Sequence, residues 1–123
     1  MDTSLFKLNQ IGIVMLGVGN LDRSIEFYRD QLGLALKYQI PGFAFLDAGG
    51  VTLCLSEPLA KASSQTVGAT EIVFSVEHVR AAHTALQNNR ISFVNEPRNV
   101  TGSSWAANFM DLDGHRLSIF GPE

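Results

Sequence analysis

Ile11-Gly-Ile-Val-Met-Leu16 leads into Asn20-Leu-Asp-Arg-Ser-Ile-Glu-Phe-Tyr28, and the same order returns later. There it reads Glu71-Ile-Val-Phe-Ser-Val76, followed by Val79-Arg-Ala-Ala-His-Thr-Ala-Leu86. In both places an apolar run of strand character precedes a segment with helical spacing. An offset of 58 positions (13 to 71) carries Ile13 onto Glu71, Leu21 onto Val79 and Tyr28 onto Leu86. A repeat of this length points to one structural unit used twice, with a pocket between the halves.

Outward from these stretches the rest falls into order. Residues 10–17 read as a strand that turns through Gly17 and Gly19 into a helix capped by Asn20. Leu21, Ile25, Tyr28 and Leu32 make its apolar stripe, and Gly33 suits its end. Three strands are expected near 34–40, 43–48 and 51–56, divided by Pro41-Gly42 and Gly49-Gly50. The polar, small residues of 57–69 read as a linker. The second half repeats the order: strand 70–76, helix 78–88, and strands near 91–95, 104–110 and 115–120, with Asp113-Gly114 at the last turn. The fold class expected is α+β. Two βαβββ modules (8–56 and 70–121) form a curved mixed sheet around a central trough within one domain spanning 1–123.

Composition excludes several classes. The 123 residues suffice for one packed core. A formal charge of −3 and the absence of Lys/Arg runs speak against nucleic acid and against an anionic membrane surface. The apolar run from Ile11 to Val18 is too short to span a bilayer, and it lacks the flanks of a signal peptide. Cys54 is the only cysteine, so neither an intrachain disulfide nor a paired-cysteine metal knuckle can form. These features suit a soluble, cytoplasmic protein.

The stretch Asn20-Leu-Asp-Arg-Ser-Ile-Glu-Phe-Tyr-Arg-Asp-Gln-Leu-Gly-Leu34 resembles the first helix of the vicinal oxygen chelate superfamily. That group takes in glyoxalase I, bleomycin-resistance proteins, fosfomycin-resistance enzymes and extradiol dioxygenases. Asp111-Leu-Asp-Gly114 resembles its closing Asp-Pro-Asp-Gly turn, with Leu112 in place of proline. The resemblance runs from about Leu8 to Pro122. It implies the paired-module fold, and it implies that metal-using members take ligands from positions matching Ile13, Leu53, Glu71 and Ser118. Only Glu71 is a strong ligand in that set, and a one-residue shift to Thr52 or Cys54 adds little. The resemblance therefore implies the metal-free, bleomycin-resistance-like branch, with no cofactor, a small-molecule ligand and a homodimer.

Glu71 is the candidate catalytic residue. In an apolar trough its carboxyl could serve as general base or acid, while an ion pair with Arg116 is the plainer reading. Trp105, Phe43, Phe45 and Tyr38 are expected to stack on a flat ligand, with Arg116 and Ser118 beside them, although alternating aromatics also build ordinary core. His78, His83 and His115 read as structural. Cys54 reads as a small apolar residue facing the helix layer. Two functions follow: a binder of an organic molecule or drug, or a lyase, epimerase or dioxygenase-type enzyme working through Glu71. A sensor domain is a third reading.

Overall fold

A computed structural model of the chain describes residues 11–62 and 70–123. In the first module β1 (Ile13–Gly17) leads to α1 (Leu21–Ile25), then β2 (Ala35–Ile40), β3 (Phe43–Asp47) and β4 (Thr52–Ser56). In the second, β5 (Glu71–Ser75) leads to α3 (Val79–Asn88), then β6 (Arg98–Asn99), β7 (Trp105–Met110) and β8 (Arg116–Gly121). Helix α2 (Glu57–Ala62) follows β4. Strand order is β1-β4-β3-β2 in one sheet and β5-β8-β7-β6 in the other. The first and last strands of each module run parallel, as Ile13 opposite Thr52 and Glu71 opposite Arg116 show. The chain thus has an α+β fold of two similar modules, with its strands paired as two four-stranded sheets.

The offset seen in the sequence is physical. The Gln31 carboxamide donates to the Asn89 carbonyl at 3.1 Å, and the Asn89 carboxamide donates back to the Gln31 carbonyl at 3.2 Å. These residues are 58 positions apart, so equivalent helix ends clasp each other.

Asn20 caps α1 as expected, its side-chain oxygen accepting the Arg23 N–H at 3.1 Å. From Glu26 to Gln31 the helix widens into π geometry, with the Leu32 N–H reaching the Phe27 carbonyl five residues back. The extra residue in the turn brings neighbouring Phe27 and Tyr28 both inward, edge to face at 5.2 Å. A simple helical stripe contains Tyr28 but not Phe27.

One core joins the modules. Leu16, Ala44, Leu46, Leu53 and Leu55 from the first sheet meet Ala107, Phe109, Leu117 and Ile119 from the second, with Leu21, Ile25, Tyr28 and Val79 between them. Strand residues alternate faces, so each sheet turns its other face away from this core.

Two expectations need correction. Residues 57–62 are not linker but α2, whose Glu57 carboxylate accepts the Leu21 N–H at 2.9 Å at the start of α1; residues 63–69 lie outside the described residues. The strand expected at 91–95 is reduced to a bridge between Phe93 and Phe109, and pairing resumes only at β6. The physical cause is local. The Asn95 side-chain oxygen takes the Asn108 N–H at 2.9 Å, where a neighbouring backbone carbonyl would have stood, and Pro97 has no N–H to offer. Among the described residues no helix is long and apolar enough to cross a membrane.

Candidate binding faces on the two sheets

Strand pairing decides which side chains share the outward faces. On the first sheet Ile13 lies beside Thr52, and Cys54 lies between Met15 and Phe45. A register irregularity between Leu36 and Tyr38 sets Tyr38 opposite Phe45. Their rings stack at 4.5 Å with a 19° tilt, and Phe43 continues the ladder 6.5 Å from Phe45. The face is open: Ile13, Met15, Tyr38 and Ile40 are all exposed. At its end Lys37 Nζ donates to Thr52 Oγ1 at 3.0 Å, in a cleft of about 270 Å³ that Gly12 and Asp47 also line.

The second sheet's outward face carries a polar strip beside exposed Val73, Met110 and Phe120. Glu71 lies beside Arg116, and Ser118 lies between Val73 and Asn108. Asn108 Nδ2 donates to Glu71 Oε1 at 2.9 Å, and Arg116 Nε donates to the same oxygen at 3.3 Å. Asn95 Nδ2 and Arg98 Nη1 donate to Asn108 Oδ1 at 3.0 and 2.8 Å. Asn108 and Ser118 are buried at the floor of this strip, while Glu71 and Arg116 reach solvent.

The candidate residues therefore divide three ways. Tyr38, Phe43 and Phe45 share one outward face; Glu71, Arg116 and Ser118 share the other. Trp105 belongs to neither. It has the parity of Ala107 and Phe109, packs on the core, and carries the Arg80 guanidinium 4.6 Å above its ring. Leu53 also faces the core; Thr52 and Cys54 are the outward neighbours of Ile13 and Met15. Cys54 is thus on the outward side of its strand rather than towards the helices, although fully buried, and burial pushes its thiol pKa up.

A metal does not fit this donor set. Ile13 has no donor atom, Thr52 and Ser118 offer neutral hydroxyls, and Glu71 Oε1 already faces two N–H donors, one of them cationic. Among the described residues no three His, Cys, Asp or Glu side chains converge.

The closing Asp111-Leu-Asp-Gly turn serves the seam between modules. Asp111 Oδ2 accepts the Tyr28 hydroxyl at 2.7 Å, and Oδ1 accepts the N–H groups of Asp113 and His115. Asp113 in turn accepts the Gly19 N–H at 2.8 Å, and His115 Nε2 lies 2.7 Å from the Gly17 carbonyl. The contacts to Tyr28, Gly19 and Gly17 tie the second module to the first, and the two bonds to Asp111 Oδ1 hold the shape of the turn itself.

His83 packs on Phe93 at 4.4 Å, and its buried Nε2 has no hydrogen-bond partner among the described residues. Removing that stranded polar atom should help the fold. His83→Leu is expected to gain about 1 kcal/mol in urea unfolding; a loss of stability would show that the ring nitrogen is satisfied.

Asn108, Asn95 and Arg98 are absent from the sequence reading of the site. The signal for Asn108 is its alternation with apolar Ala107 and Phe109. Asn95 and Arg98 carry no such signal, because Asn95 lies where the strand breaks down and Arg98 opens the short β6 that follows.

Residues 10–119 match the family profile described as the Glyoxalase/Bleomycin resistance protein/Dioxygenase superfamily. A metallothiol transferase FosB from Staphylococcus haemolyticus is 26% identical over 118 residues, covering 89% of this chain and 81% of that protein. Among solved structures, a glyoxalase/bleomycin resistance protein/dioxygenase from Nocardioides superposes with a TM-score of 0.78 at 22% identity, covering 98% of this chain and 89% of the other. TnmS3, an antibiotic binding protein from Streptomyces sp. CB03234, gives 0.78 at 19% identity, covering 94% and 98%.

Proposed function

Because the chain belongs to the Glyoxalase/Bleomycin resistance protein/Dioxygenase superfamily, we propose that its outward faces bind a small organic ligand without a metal. The observation that carries this reading is the aromatic ladder of Tyr38, Phe45 and Phe43, three parallel rings on an open face. Such a surface suits a flat apolar molecule. The polar strip of Glu71, Asn108, Arg116 and Ser118 supplies the few directional groups that a binding site needs. The likeness to an antibiotic binding protein supports the reading at the level of fold.

A second copy completes the trough. Strands β1 and β5 are edges of their sheets, and exposed Ile13, Met15 and Val73 lie along them. Unpaired edges with apolar side chains favour association. A homodimer sets the aromatic face of one copy beside the polar strip of its partner. Light scattering should give twice the chain mass; a monomer at working concentration would remove this part of the reading. The single buried cysteine suits a reducing cytoplasm.

A second reading keeps Glu71 as the proton-transferring group of an enzyme. The likeness to a metallothiol transferase favours it, but metal chemistry of that kind lacks ligands at Ile13 and Thr52. Glu71 could move a proton only through an oxygen already held by Asn108 and Arg116, or through its second oxygen.

The test is a thermal-shift screen of flat aromatic compounds, repeated on a Tyr38→Ala/Phe45→Ala variant. Affinity is expected to fall roughly tenfold to a hundredfold with the ladder gone. Unchanged affinity would place the ligand elsewhere.

A further inference from the structure

The whole chain is acidic, which on its own favours a cationic ligand. Locally the sign is reversed. The strip on the second sheet carries two guanidinium groups against one carboxylate, linked through a single carboxamide. Arg98 Nη1 meets Asn108 Oδ1 at 2.8 Å, Asn108 Nδ2 meets Glu71 Oε1 at 2.9 Å, and Arg116 Nε meets that oxygen at 3.3 Å. Glu71 is the one acidic residue among those of β5, β7 and β8. The relay therefore has a formal charge of +1.

Its hydrogen bonds leave little freedom. Arg98 and Asn95 both donate to Asn108 Oδ1, so the carboxamide must turn its NH₂ to Glu71. Reversing it would set donor against donor at Arg98 and Asn95, and acceptor against acceptor at Glu71. Glu71 is thereby committed as an acceptor, and its Oε1 already serves two donors. Each arginine brings five N–H groups and spends one of them on these partners. Arg116, with 57% of its side chain exposed, and the exposed Arg98 keep the others for a ligand. Guanidinium groups bind planar oxyanions through paired N–H bonds, a geometry that an amine or a neutral ring cannot use.

We infer that the ligand bound at these faces carries an anionic oxygen group, a carboxylate or a phosphate, held by Arg98 and Arg116 at the borders of the Glu71–Asn108 pair. This rests on the proposed binding function and specifies its ligand class. In the proposed homodimer the apolar body of the molecule lies on the Tyr38–Phe45–Phe43 ladder of one copy, and its anionic end lies on the strip of the partner copy.

Four probes of one ring system separate the possibilities: 2-naphthoate, naphthyl phosphate, 2-naphthamide and 2-naphthylmethylamine, each titrated by calorimetry. At least one anion is expected to bind about tenfold more tightly than the amide and the amine. Whichever anion binds better identifies carboxylate or phosphate. Arg116→Gln and Arg98→Gln should each erase most of that preference, weakening the anions far more than the amide. Arg116→Lys, which keeps the charge, should retain part of it and guards against a folding defect. Equal binding of all four probes, or a preference that survives both glutamine variants, overturns the anionic ligand but leaves the binding function standing. Binding of none of the four overturns both.

Discussion

Asp111→Ala is expected to lose about 3–5 kcal/mol of folding stability, enough to lower the melting temperature by roughly 10–20 °C. Asp111 is buried and serves three donors: the Tyr28 hydroxyl on Oδ2, and the Asp113 and His115 N–H groups on Oδ1. Alanine strands all three, and buried donors without partners are costly. It also opens the seam, since Tyr28 is in the first module and the turn is in the second. Asp111→Asn keeps the Oδ1 acceptor and should lose only about 1–2 kcal/mol. Urea unfolding of both variants checks the order; an alanine variant within 1 kcal/mol of the parent would deny Asp111 this role.

Burial and the neighbouring Asp111 carboxyl raise the Tyr28 pKa well above its ordinary value of 10.0. The folded chain therefore holds this proton where the unfolded chain releases it. The associated stability is complete below about pH 10 and drains away as pH rises further. Tyr28→Phe should flatten that alkaline decline while lowering stability at neutral pH.

Gly121→Ala should lose about 3 kcal/mol. A β-carbon built at Gly121 collides with the carbonyl oxygen of Val76. That carbonyl belongs to backbone and cannot swing aside like a side chain. It is fixed by the adjacent bond from the Val76 N–H to the Phe120 carbonyl at 3.0 Å. Just beyond, the carbonyls of Pro122 and Glu123 accept the N–H groups of Val79 and Arg80 at the start of α3. Separating β5 from β8 here would therefore loosen the helix start as well. Gly12→Ala is the control, because a β-carbon there meets nothing within 4 Å; its effect should stay within about 0.5 kcal/mol. Equal melting of the two variants would mean that the strand end yields easily.

Helices α1 and α3 were legible because their signals are local. Asn20 as cap, the 3.6-residue spacing and Gly33 at the end all act within one or two turns. Four strands of each module were legible by number, through apolar alternation and glycine turns, but the position of β6 was not. Its disruption comes from Asn95 bonding Asn108, a partner 13 positions away. The site was legible in its residue types and only partly in its geometry. Trp105 was grouped with Tyr38, Phe43 and Phe45, yet its parity on β7 sets it on the core side, under Arg80. Leu53 read as a site position, yet apolar packing takes it inward and leaves Thr52 and Cys54 outward.

By itself the sequence determined the duplication, the order of elements in each module and the family. The first two rest on spacings between residues close in the chain, or on one repeat compared with the other, and the family rests on the resemblance of Asn20–Leu34 and Asp111–Gly114 to its motifs. Tertiary structure alone decided strand parity, the seam at Asp111, and the meeting of Glu71, Asn95, Arg98, Asn108 and Arg116. A strand's alternation fixes which residues share a face, but only packing against helices and a second module decides which face is buried. The polar relay exists because β5, β8 and β7 lie side by side, bringing together residues from four separate segments.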